Sequence, residues 1–106
     1  MSVVTLARGD IVNFKEAMTH KADMVHSEIR EKNRVDGKIG AYAGKLAFDA
    51  TLPHVVQSIE RDGKKIELTQ EWLDNLPMEE YEKLGLEMVR LLELAYKKIE
   101  EGKKNS

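Results

Sequence analysis

Few residues in this chain are of types able to do chemistry, and their spacing completes no catalytic or metal-binding set. The histidines are His20, His26 and His54. His20, Asp23 and His26 follow one another at steps of three, the spacing that would suggest a metal site or an acid–base pair on a helix. At 3.6 residues per turn, however, His20 and His26 diverge by about 120° around the axis and cannot close on one ion. They read as a solvated polar face. His54 follows a proline and has no acid, nucleophile or ligand beside it in sequence. The carboxylate pairs Glu79-Glu80 and Glu100-Glu101 lie among lysines at the ends of a helical pattern, which is how a solvated face looks. Gly37, Gly40 and Gly44 match no phosphate-cradling spacing, and no G-x-S-x-G elbow occurs. Arg8-Gly9-Asp10 spells a cell-adhesion tripeptide, but helix entry explains Gly9-Asp10 better. The absence of cysteine excludes thiolate nucleophiles, cysteine zinc sites, iron–sulfur clusters and disulfides. The expectation is a non-enzymatic protein with no catalytic residue, no metal and no cofactor.

Composition narrows the partners. The chain has 106 residues, 42% apolar and 34% charged, an ordinary globular balance. A net charge of −2 is too weak a field to nominate nucleic acid or an anionic membrane. No apolar run approaches the roughly 20 residues that span a bilayer, and the amino terminus lacks the pattern of a signal peptide. A chain of 12.1 kDa is expected to expose a folded surface of about 6,000 Å². Flexible Met18, Met24, Met78 and Met88, with Trp72 as a large anchor, supply adaptable apolar surface.

The elements that must position these residues follow from hydrophobic period. Residues 1–9, with Val3, Val4 and Leu6, read as a mobile extended arm or edge strand. Ile11, Phe14, Met18, Ala22, Val25 and Ile29 recur at steps of three and four, which predicts a helix over about 10–32 with Asp10 as N-cap. Asp36-Gly37 predicts a reversal. Ile39, Tyr42, Ala43, Leu46, Ala47 and Ala50 predict a second helix with a small-residue face, ending or kinking near Pro53. Residues 54–68 fit either a helix followed by extended chain or a β-hairpin closed through Asp62-Gly63, with the balance slightly toward the former. Thr69 is the expected N-cap of a short helix. Pro77 opens a long one carrying Met78, Tyr81, Leu84, Met88, Leu91, Ala95 and Ile99, with Gly102 as its C′ residue, Lys97, Lys98, Lys103 and Lys104 at its negative end, and a mobile tail over 102–106. The fold class predicted is mainly α, one domain over 1–106 built as a bundle of about four helices, with room for a short hairpin or extended segment at 54–68.

The order of parts then carries a resemblance. Val55-Val56-Gln57-Ser58-Ile59, Asp62-Gly63-Lys64, Leu68-Thr69-Gln70-Glu71-Trp72-Leu73 and Leu76-Pro77-Met78-Glu79-Glu80-Tyr81 resemble the phage tail assembly chaperones of long-tailed phages and prophages. In that family a DGK turn often leads to an LT-x-E helix start, and an LP-x-E-D/E-Y/F entry opens the last helix. The resemblance implies a mostly helical protein of the host cytoplasm with no catalytic residue. It would bind the tape measure protein, help recruit tail tube subunits and self-associate. Amphipathic surface and motif position nominate Trp72, Leu73, Leu76, Met78 and Tyr81 as the partner-binding residues. The alternatives are a small helical nucleic-acid-binding or regulatory protein of a phage or mobile element, which would need a basic recognition helix, and a small enzyme, which would need a polar cleft converging on a histidine.

Overall fold

The computed structural model describes residues 2–104, and its first correction concerns the amino-terminal third. Ile11–Phe14 is a strand, β2, paired antiparallel with β1, Val3–Thr5. The helix predicted to begin at Asp10 begins instead at His20 and ends at Lys32 (α1). Thr19 caps it, its hydroxyl accepting from the Ala22 amide at 3.2 Å, and Asp10 caps nothing. The step of three from Ile11 to Phe14 fits a helical period, but Val12 and Phe14 are the buried pair, which is the two-residue alternation of a strand.

The second helix, α2, spans Ala41–Val55. It passes through Pro53 because a proline in the last turn removes only one ladder bond. β3, Val56–Arg61, follows at once and returns through Asp62-Gly63 into β4, Lys64–Ile66. Both turn residues have positive φ, 52° and 78°, the geometry that favours Asp-Gly in tight hairpins. The slight preference for helix before this turn is therefore overturned. The four strands lie in the order β1-β2-β3-β4, all antiparallel. Between β2 and β3 the register slips, Asn13 facing Ser58 but Phe14 facing Val56. Gln57 is the extra residue of that bulge, and it lets Val56 and Ile59, three positions apart, both face the core. α3 spans Gln70–Asp74, capped by Thr69, and α4 runs from Met78 to Lys104, through the expected stop at Gly102.

The fold is thus mixed α/β, 58% helix with 18% in a four-stranded antiparallel sheet, and not a mainly α bundle. One face of the sheet, through Val12, Phe14, Val56 and Ile59, packs with Leu6 against Leu52 and Val55 of α2, Trp72 and Leu73 of α3, Leu76, and Leu84, Met88 and Leu91 of α4. The helical hairpin α1–α2 flanks this core; Ala22 is the one fully buried residue of α1. No described helix is long and apolar enough to cross a membrane. The mobile ends expected from sequence include positions 1, 105 and 106, which lie outside the described residues.

Candidate functional site

Two constellations stand out, and they differ in kind. The first is polar and locks the fold. Asp10 is fully buried and its carboxylate receives Arg61 through Nε at 2.6 Å and Nη2 at 2.8 Å, while Trp72 donates Nε1–H at 2.9 Å. Arg8 approaches the same carboxylate at 3.0 Å and lies 5.4 Å from the Trp72 ring centre. The Arg61 hydrogen bonds, opposed by burial and reinforced by Trp72 and Arg8, hold the Asp10 carboxyl at about 2, below its ordinary 3.8. A charge taken from water is kept because its donors converge on it. Gly9, at φ 94°, makes the tight β1–β2 turn that aims Asp10 inward. With both oxygens occupied and no accessible surface, Asp10 cannot be presented to an adhesion receptor. Nearby, the Glu80 carboxylate accepts the Ala7 amide and ties the β1–β2 turn to the first turn of α4.

The second constellation is apolar and open. A hollow of about 410 Å³ lies between α4 and the α1–α2 hairpin, walled by Ala41, Gly44 and Phe48 of α2 and by Tyr81, Gly85, Leu86, Met88 and Val89 of α4. A second hollow of about 220 Å³ continues along the same side of α4, between Met18 and the start of α1 and Leu92, Ala95, Tyr96 and Ile99. Small residues on α2 form the first wall, so a visiting backbone can approach closely. The polar groups at the rim, His26, Lys45 and Glu82, come from three helices, and no hydrogen bond joins them among the described residues. Burial, followed by the charge of Arg30, lowers the His26 pKa and favours its neutral form. This arrangement offers apolar contact and no charge relay. Among the described residues no group of three or more acidic or histidine side chains is placed to hold a metal.

Asp49 fixes the cleft's geometry. Its carboxylate accepts the Tyr81 hydroxyl at 2.8 Å and the Gln70 amide at 3.3 Å, joining α2 to α4 and to α3. Phe48 meets Tyr81 edge to face at 4.8 Å. Burial first, then the Asp49 carboxylate, pushes the Tyr81 phenol above its ordinary range. Tyr81→Phe is expected to lose about 1 kcal/mol of stability, because the half-buried Asp49 oxygen gives up a strong donor; a urea melt measures it, and an unchanged midpoint would contradict the role assigned to this bond.

Of the residues nominated from sequence, the structure separates two groups. Trp72, 8% exposed, Leu73 and Leu76 are core residues, so their assignment as partner contacts is corrected: α3 is short, and it turns its apolar side inward against the sheet and Asp10. Met78 is exposed and Tyr81 lines the cleft. Leu86, Val89 and Ile99, which the sequence placed on the apolar side of the last helix without nominating them as partner contacts, and Tyr96, which it did not single out, are exposed by 72, 47, 53 and 52%. Their signal was the unusual apolar breadth of the last helix, which exceeds what one core contact requires.

With that geometry in hand, comparison with known proteins adds nothing: no family model, no curated protein and no solved structure matches this chain.

Proposed function

We propose that this chain is a non-enzymatic binding protein that receives an apolar helix of a larger polypeptide in the cleft beside α4, acting as a tail assembly chaperone for a tape measure protein in the host cytoplasm and helping to recruit tail tube subunits. The observation that carries this reading is the open side of α4, where Leu86, Val89, Tyr96 and Ile99 stand exposed around two apolar hollows, with the Tyr96 hydroxyl donating to Asp23 of α1 at 3.4 Å. A monomer of this mass is expected to expose about 6,000 Å², whereas the accessible surface is 7244 Å². The radius of gyration points the same way, 14.9 Å against about 13 Å for a compact chain of this length. A helix laid into an apolar groove is one of the recurring modes of peptide recognition, and it uses contacts of this kind at helical spacing.

The motifs at Asp62–Lys64, Leu68–Glu71 and Leu76–Tyr81 support the chaperone form of the reading, although the antiparallel sheet departs from the mostly helical fold that the resemblance implies. A tape measure protein is long and rich in apolar helix, so many copies bound along it would act by avidity even where each contact is weak. The experiment is co-expression with a fragment of the tape measure protein encoded in the same genome. The fragment is expected to move from the insoluble to the soluble fraction and to co-purify with this chain. Equal solubility with and without the chain would overturn the proposal.

A further inference from the structure

Among the side chains that wall the larger hollow, only His26 is of a type whose charge changes near neutral pH. Its imidazole is partly buried on α1, facing the hollow across from α4. The ring nitrogens have no hydrogen-bond partner among the described residues and are not sealed from solvent, so water serves them while the hollow stands open. The charged groups around the ring balance. Asp23, which also accepts the Tyr96 hydroxyl, and Arg30 stand one turn to either side on α1, while Lys45 of α2 and Glu82 of α4 stand at the rim. These are two anions and two cations. The Tyr81 phenol in the same wall is engaged by Asp49 and stays neutral. With no net charge to hold an imidazolium, burial prevails and the His26 pKa lies below its ordinary value even in the open cleft.

Covering the hollow strengthens that effect. An apolar helix laid over the ring displaces the water at its nitrogens and offers no acceptor in exchange. The neutral ring then loses hydrogen bonds, but the imidazolium loses the hydration of a full charge, which costs far more. The occupied cleft therefore holds this proton less tightly than the open one, and by linkage the protonated cleft holds its occupant less tightly than the neutral cleft does. The sign follows directly. Affinity is at its plateau where His26 is neutral and declines as pH falls through its titration, by at most about tenfold per pH unit for a single proton.

We propose that His26 is an acid-release switch for the cleft, its protonation loosening the grip on an apolar occupant on mild acidification. This rests on the reading of the cleft as an apolar binding surface and adds the condition under which it lets go. The test needs no client. Nile red, an uncharged apolar fluorophore, is titrated with the full chain from about pH 7.5 to about pH 5, a range above the acid limit set by the Asp10 carboxyl at about 2. Circular dichroism at each pH separates release from unfolding. Wild-type affinity is expected to fall several-fold across the range, and that of His26→Gln is expected to stay level, although His20, beside the second hollow, and His54, outside both, remain to titrate. Leu86→Glu combined with Val89→Glu should abolish binding throughout, which places the probe in the cleft. A level wild-type profile would overturn the switch and leave the cleft reading standing. So would an equal fall in His26→Gln, or a fall that accompanies loss of helix. A probe that binds the double glutamate variant as well as wild type, or that binds wild type at no pH, would reject the apolar cleft and the switch with it.

Discussion

Asp10→Ala is expected to be the most damaging single substitution in the chain, lowering stability by about 3 kcal/mol or more. The change removes the acceptor of three hydrogen bonds and the counter-charge of two guanidinium groups at once. Arg61 and Arg8 can turn to water, but the Trp72 indole N–H stays buried with its acceptor gone. For a chain of about one hundred residues, 1 kcal/mol corresponds to roughly 4 °C or more in melting temperature, so a fall of about 12 °C or more is expected. Asp10→Asn retains an acceptor for Trp72 and should lose less. The same group sets an acid limit. Its folded pKa of about 2 lies below the ordinary 3.8, so the folded state holds this proton less tightly than the unfolded one. The stabilisation is complete above pH 4 or so and is lost as pH falls from there through about 2, amounting to about 2 kcal/mol. Wild type should show this loss over that window and Asp10→Ala should not. Melts of the two proteins that coincide, or the same acid profile in both, would contradict the role given to this cluster.

The largest functional effect is expected from Leu86→Glu combined with Val89→Glu. Both side chains are exposed at the lip of the cleft, so the folded monomer should lose no more than about 0.5 kcal/mol from each change. Binding is different. Burial of a leucine or valine side chain contributes about 1.5–3 kcal/mol, and each glutamate must in addition be taken out of water against an apolar partner. A loss of about 4 kcal/mol corresponds to roughly a thousandfold in Kd. The double variant should therefore keep the wild-type melting temperature and fail to retain a tape measure fragment. Trp72→Ala is its counterpart: it should unfold the protein before it informs on binding, because Trp72 belongs to the core and to the Asp10 cluster. A double variant that retains the fragment with wild-type affinity would remove the cleft from the account.

The contrast between these two experiments reflects what was legible in the sequence. The long last helix, the short helix capped by Thr69 and the Asp36-Gly37 and Asp62-Gly63 reversals rest on local chemistry, caps and positive φ, and they are present. The four-stranded sheet was not legible as a whole: an edge strand in residues 1–9 and a hairpin through Asp62-Gly63 were among the alternatives, but the β2–β3 pairing that joins the two hairpins is made by partners far apart in sequence. β2 pairs with β3 across more than forty intervening residues, and Ile11, Phe14 and Met18 happen to fit a helical period until that partner is supplied. The bulge at Gln57 then disguised β3, placing Val56 and Ile59 on one face at a step of three. Asp10 misled for a related reason. An aspartate before an apolar run has the form of an N-cap, and only the tertiary fold brings Arg61 and Trp72 to it. The excess of apolar residues over what a small core can hold was visible in the composition of the last helix. Its location was not, since whether Trp72 or Val89 remains outside depends on how the sheet and α3 share the core.

The cleft beside α4 as the seat of a client helix is tested most directly by photo-crosslinking in the presence of a tape measure fragment. A photoreactive side chain placed at Val89 should link to the fragment, and one placed at Thr5, exposed on the edge strand β1 and outside both hollows, should not. Links from Thr5 with none from Val89 would place the client on the sheet edge and contradict the account.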